Sequence, residues 1–145
     1  MNKVSLEEKI NQVWDTRTLL TEKKYQQAVL DVIKCLDEGF LRVVEANEGE
    51  WVVNEWIKKA ILLYFQIKEM NVMEVGMMEY YDKIPLKKNF KDLGVRVVPP
   101  AVARYGAYLA PGVVMMPSYV NIGAYVGKGT MVDTWATVGS CAQIG

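Results

Sequence analysis

The sequence predicts a chain in two parts. Residues 1–96 read as a mixed, mainly helical α/β domain, and residues 97–145 as the opening of a three-sided parallel β-helix. Three observations lead there. Apolar residues recur at helical spacing through the first part. Near Pro99-Pro100 the texture changes: charged residues nearly vanish, and Gly, Ala, Val and Tyr take over. A six-residue period then runs through the tail.

The elements follow in chain order. Ser5-Leu6-Glu7-Glu8 has the spacing of a capping box, and Leu6, Ile10, Val13 and Trp14 recur on one face, which predicts a helix over 5–15. A second helix is expected over 22–38. Its stripe is Tyr25, Val29, Val32, Ile33 and Leu36, and Gly39 is its stop. Residues 40–45 read as a strand, 46–50 as a turn and Trp51-Val52-Val53 as a returning strand. Asn54 is placed to cap a third helix through Lys68, with Ile57, Ile61, Tyr64 and Phe65 on its buried side. Residues 70–95 show no clean period. Their methionines and the Tyr80-Tyr81 pair read as core or interface filler.

The tail carries the strongest signal. Val102, Tyr108, Val114, Val120, Val126, Val132, Val138 and Ile144 are spaced by six, and four places after the first seven come Gly106, Gly112, Ser118, Ala124, Thr130, Ala136 and Ala142. A small residue two places before an aliphatic one on a strand points to the same side. If that side is the inside of a narrow prism, close packing admits one large and one small side chain per wall. Three walls make a coil. The residue after each of the last five aliphatics is Asn121, Gly127, Asp133, Gly139 or Gly145, types that tolerate positive φ or bond backbone in a turn. Ala103, Leu109 and Met115 occupy that place earlier, as in an atypical end coil. Cys141, within a repeat, reads as a small buried filler. At about eighteen residues per coil the tail makes roughly two and a half coils. It stops inside a repeat with an unpaired strand edge, so the sequence is expected to be a piece of a longer protein.

Composition narrows the function. Apolar residues make up 51 %, enough for a packed core. Lys+Arg and Asp+Glu are balanced at 17 each, which argues against nucleic-acid and membrane-surface partners. Two cysteines without metal-type spacing, no signal-peptide core and no membrane-length apolar run point to the cytoplasm. There is no histidine, so imidazole base catalysis and the commonest zinc ligand are missing, and no metal site is expected.

Longer stretches are more specific. Arg96-Val97-Val98-Pro99-Pro100, the run from Met116 to Val126 and the run from Gly129 to Gly145 resemble the tetrahydrodipicolinate N-succinyltransferases of lysine biosynthesis, and so do Gly39-Phe40-Leu41-Arg42-Val43, residues 51–60 and Tyr81-Asp82-Lys83-Ile84-Pro85. The resemblance spans nearly the whole chain. It implies a left-handed parallel β-helix of the hexapeptide-repeat kind, against the right-handed rule for parallel crossovers. It also implies a homotrimer that moves a succinyl group from the co-substrate succinyl-CoA to the amino group of a ring-opened dicarboxylate. By match of motif, Arg96 is the substrate-binding arginine and Asp133 the active-site aspartate, a catalytic and substrate-binding residue. A guanidinium forks onto a carboxylate, and a carboxylate orients or deprotonates an attacking amine. Without the resemblance, Asp133 is a corner residue and Arg96 a surface ion-pair partner. Arg104, Tyr119 and Tyr125 are further candidates for lining the site or covering the prism. The resemblance puts a further acidic residue and most of the CoA groove beyond this sequence, so these 145 residues alone are expected to be silent. Two other functions fit the tail: an acyltransferase with another acceptor, and a non-catalytic trimerisation module.

Overall fold

A computed structural model of the chain describes residues 2–145. Three helices form the first layer: α1 (Lys3–Asp15), α2 (Lys23–Asp37) and α3 (Glu55–Ile67), with a short 3-10 turn at Arg17–Thr21 between the first two. The cap of α1 lies three residues earlier than the Ser5 box suggests, because the Asn2 side chain accepts the Val4 N–H at 3.1 Å. The stripe predicted for α2 is buried throughout, and Gly39 closes the helix at φ +78°. Its open side is used. A β-carbon there would sit 2.6 Å from the ring of Tyr108, so glycine lets the chain pass that ring. Asn54 precedes α3 but makes no side-chain cap. Its amide donates instead to Arg42 O at 2.9 Å and Glu45 Oε1 at 3.0 Å, tying the helix start to the preceding hairpin.

That hairpin is antiparallel, β1 (Val44–Asn47) with β2 (Glu50–Val53), and pairs Ala46 with Trp51. The first strand starts later than residue 40, because 40–41 are held against the end of α2 by bonds to Cys35 O. A second antiparallel hairpin, β3 (Asn71–Val75) with β4 (Met78–Asp82), stands where no period was visible. Its methionines are not core filler: Met77 and Met78 are exposed.

The tail supplies nine two-residue strands: β5 (Arg96–Val97), β6 (Val102–Ala103), β7 (Tyr108–Leu109), β8 (Val114–Met115), β9 (Tyr119–Val120), β10 (Tyr125–Val126), β11 (Met131–Val132), β12 (Thr137–Val138) and β13 (Gln143–Ile144). They form three parallel sheets in the orders β5-β8-β11, β6-β9-β12 and β7-β10-β13. Each strand therefore passes to the next wall, and every third strand stacks on the same wall, as in the coils of a parallel β-helix. Residues 85–94 cover the open edge of the first coil. Lys87 N–H donates to Ala103 O, Tyr105 N–H to Pro85 O and Gly112 N–H to Gly94 O, each at 2.8 Å. This satisfies groups that a bare edge would leave for another chain.

The interior differs from the simple six-residue ladder in one respect. Val120, Val126, Val132 and Val138 do point inward and are buried. In the first layers the inward residues are Ala103, Leu109 and Met115, not Val102, Tyr108 and Val114, which face outward and are half-buried. The register shows the slip. Val97 stacks under Met115 with a spacing of eighteen residues, but Met115 lies under Val132 with seventeen. The missing residue is at Met116-Pro117-Ser118, a three-residue corner where the others have four. Six four-residue corners carry a left-handed residue in third place: Gly106, Gly112, Gly123, Gly129, Trp135 and Cys141. Proline holds φ near −65° and cannot supply one. The corner at Pro117 closes one residue shorter, and the phase shifts. Gly106 and Gly112 are thus corner residues rather than interior fillers, with Ala107 and Val113 buried in their place. Asn121 and Asp133 bond the next N–H, at 2.9 and 2.7 Å, while Gly127 and Gly139 do not take positive φ. Cys141 is half-buried at a corner, not an interior filler.

Two apolar cores result. One lies among the helices, centred on Ile10, Val29, Val32, Ile33 and Ile57, and takes in Ile122 from the coil. The other fills the prism around Leu109, Met115, Val120 and Val126. Each fully buried aliphatic contributes about 1.5–3 kcal/mol. Asp37 bridges the two cores. Its Oδ1 accepts Gly106 N–H at 2.9 Å and pairs with the buried Lys87 ammonium at 2.7 Å.

Candidate functional site

The two residues singled out by sequence fall on one wall. Arg96 opens β5, and Asp133 is the first residue after β11 of the same sheet. The register stacks Arg96, Val114 and Met131 in one column. Val97, Met115 and Val132 point inward, so by alternation Arg96 and Asp133 both face outward, and both are exposed. Two strand steps separate them, roughly 10 Å along the stack. They do not touch, and strand β8 lies between their rows.

Neither residue is tied up by a charge partner. Among the described residues Arg96 forms no ion pair, so it is not a structural surface pair. Asp133 Oδ1 accepts the Thr134 N–H at 2.7 Å, which fixes the carboxylate at the corner and leaves the other oxygen for a ligand. Met116 lies below Asp133 and Val98 below that, in a column built by Met116 N–H to Val132 O and Val98 N–H to Met115 O, each 2.9 Å. The wall is open. Hollows of about 420 and 380 Å³ lie elsewhere, over Asp31, Lys34, Glu38 and Phe40, and beside the second hairpin. Among the described residues no group of three or more His, Cys, Asp or Glu is arranged to hold a metal ion.

The other candidates are engaged. Arg104 donates to Asp82 at 2.7 Å and to Asn121 at 3.3 Å, anchoring the second hairpin to the coil. The Tyr119 hydroxyl shares Asn121 Oδ1 at 3.3 Å, and burial pushes its phenol pKa up. Tyr125 lies on another wall, with Tyr108 stacked 4.8 Å away and the Arg42 guanidinium 3.8 Å above its ring.

A family model described as tetrahydrodipicolinate N-succinyltransferase N-terminal matches residues 5–67. Three similar curated proteins are each called 2,3,4,5-tetrahydropyridine-2,6-dicarboxylate N-succinyltransferase. That of Acinetobacter baylyi is 57 % identical over 126 residues, which cover 83 % of this chain and 46 % of the relative. That of Sodalis glossinidius is 50 % identical over 151 residues, with 97 % and 55 % covered. That of Paramagnetospirillum magneticum is 49 % identical over 156, with 100 % and 56 % covered. The chain matches the N-terminal half of the tetrahydrodipicolinate N-succinyltransferase family. It spans about half the length of the curated relatives it matches.

Within that family frame, one residue stands out that the reading of motifs passed over. Trp135 shares the Asp133 corner, takes φ +60° and is 78 % exposed. The sequence held a signal for it: counting six forward from Gly129 lands on a tryptophan where the earlier corners have glycine.

Proposed function

We propose that the protein containing this chain transfers a succinyl group from succinyl-CoA to the amino group of ring-opened tetrahydropyridine-2,6-dicarboxylate, in lysine and diaminopimelate biosynthesis. The observation that carries this is the joint one: a sequence match over essentially the whole chain, with Arg96 and Asp133 unpaired and facing outward from one wall.

The chemistry follows from those two groups. Arg96 holds a substrate carboxylate through its fork of N–H donors. Asp133 orients the substrate amine and takes its proton as the nitrogen attacks the thioester carbonyl. A C–N bond forms, the C–S bond breaks, and the proton passes from the carboxylate to the departing thiolate of CoA.

An open wall does not enclose a reaction, and ligand sites are concave. A second wall must come from elsewhere, which is the basis for proposing a homotrimer with each site between neighbouring coils. The coil is taken as left-handed on the family resemblance, with residues 1–96 as the N-terminal domain and 97–145 as the first coils of the β-helix. No helix among the described residues is long and apolar enough to cross a membrane, and a cytoplasmic biosynthetic enzyme is the proposed setting.

The test is CoA-thiol release with succinyl-CoA and the acceptor, using the protein that contains this chain. Asp133→Asn is expected to lower kcat at least a hundredfold, and Arg96→Ala to raise KM for the acceptor. Unchanged activity in Asp133→Asn would remove the assigned role.

A further inference from the structure

We infer that the hollow between α2, α3 and the 104–107 corner of the coil binds a small carboxylate with an apolar body, its head held by the Tyr64 hydroxyl and the Lys68 ammonium. The inference goes beyond the transferase reading and does not rest on it.

Helix α3 supplies the first argument. Tyr64 lies on its buried stripe and packs in the helical core, where it is 1 % exposed. A buried phenol ordinarily finds a hydrogen-bond partner. Among the described residues the Tyr64 hydroxyl has none. It is not sealed in either, since the enclosed side-chain polar atom left without a partner among those residues is the Trp56 indole nitrogen. The hydroxyl therefore reaches the hollow that Tyr64 lines.

The rest of the hollow is built to match. Its volume is about 370 Å³, at the small end of ligand pockets. Tyr105, from the first coil, donates its N–H to Pro85 O at 2.8 Å, which ties two sides of the hollow together. Leu30, Pro85 and the Tyr105 ring give apolar walls. Lys68 follows the end of α3. Its ammonium stands 5.5 Å from the centre of the Tyr64 ring and forms no ion pair among the described residues. Burial first, then the neighbouring Tyr105 and Asp37, push the Tyr64 pKa up to about 12, and burial raises that of Tyr105 as well. Both phenols stay protonated near neutrality and can donate.

An anion is the occupant these groups select. Asp31 stands on a rim shared with the hollow over Glu38 and Phe40, and it already accepts from Gln27 at 2.9 Å. Lys34, on the same rim, faces Glu38 at 3.9 Å. Away from that rim the polar groups are donors: two hydroxyls and one unpaired ammonium. A single ammonium balances a single negative charge, which suits a carboxylate better than a phosphate ester carrying about −1.5 to −2.

The test is saturation-transfer NMR of the protein containing this chain with benzoate, benzamide and phenyl phosphate. Benzoate is expected to bind with a Kd of about 10 mM or tighter, the scale a ligand of that size supplies. Benzamide should bind at least about fivefold more weakly, and phenyl phosphate no better than benzoate. Tyr64→Phe, which removes only the hydroxyl, and Lys68→Met, which removes the ammonium, are each expected to weaken benzoate about tenfold. Arg96 lies outside the hollow, so Arg96→Ala should leave benzoate binding within about twofold. Absent benzoate binding, or unaltered binding in either hollow variant, overturns the inference. Benzamide binding as well as benzoate, or phenyl phosphate binding better, overturns the carboxylate assignment. Loss of binding in Arg96→Ala moves benzoate to the wall of Asp133 and overturns the site. A fall in Tm of Tyr64→Phe beyond about 4 °C assigns the hydroxyl to the fold and does the same.

Discussion

Gly106 and Gly129 occupy equivalent corners, at φ +90° and +75°, yet alanine is expected to cost very different amounts at the two. At Gly129 a β-carbon meets nothing within 4 Å. Only the left-handed backbone penalty applies, roughly 1–2 kcal/mol, and the stiffer unfolded chain returns about 0.4–1 kcal/mol. The net loss is about 1 kcal/mol. At Gly106 the same β-carbon would sit 2.8 Å from Ile122 Cγ1 and 3.1 Å from Ile33 Cγ2. Both neighbours are almost fully buried, at 1 % and 0 % exposure, so neither can swing into solvent. Overpacking adds about 1–3 kcal/mol, which brings Gly106→Ala to about 3 kcal/mol. The assay is urea unfolding of the two variants beside the parent. With a slope of about 2 kcal/mol per molar, the midpoints of the two variants should differ by about 1 M. Equal midpoints would show that helix α2 is not seated on this corner, and the account of how the two cores join would fail.

Two further outcomes follow from the same contacts. Lys87→Met leaves the Asp37 carboxylate without its cation at a site where the lysine side chain is 2 % exposed and the aspartate 18 %; a loss of about 3 kcal/mol is expected in chemical denaturation. Adding Asp37→Asn should recover part of it, since asparagine can still accept the Gly106 N–H, and a double variant no better than the single one contradicts the pairing. Glu45 is held below the usual carboxylate range first by the hydrogen bond from Lys3 and then by that from Asn54. A depressed folded pKa stabilises above the unfolded value of about 4.3 and is lost as pH falls through the folded one. The stability gap between the parent and Glu45→Gln should therefore be constant near neutrality and close as the pH drops below about 4. A gap that stays open in acid would reject the assignment.

What the sequence made legible, and what it hid, has a common physical origin. The three helices were readable because each buries one stripe, and a stripe imposes its period on the sequence. The coil was readable for the same reason. The one-residue slip was not, because in the first layers both positions of a strand are apolar: Val102-Ala103, Tyr108-Leu109 and Val114-Met115. An outward valine that meets the helical domain or a neighbouring strand looks like an inward one. The glycines told the phase more faithfully than the aliphatics did. Gly106 to Gly112 is six residues and Gly123 to Gly129 is six, but Gly112 to Gly123 is eleven. Left-handed backbone is the scarcer requirement, so the residue that meets it is the better marker. The β3–β4 hairpin was hidden for the opposite reason. It buries neither face well, with Val72, Tyr81, Val75 and Met78 all exposed, so no alternation was imposed on it.

The same logic says where function can reside in such a coil. Each wall contributes one inward residue whose size is fixed by the prism, and each four-residue corner contributes one left-handed residue whose type is restricted by φ. The outward strand position and the first corner residue carry neither restriction. Arg96 is an outward strand residue and Asp133 a first corner residue, so both occupy places where a charge disturbs no packing. Trp135 is different in kind. It stands in a restricted place, at φ +60° in the same corner as Asp133.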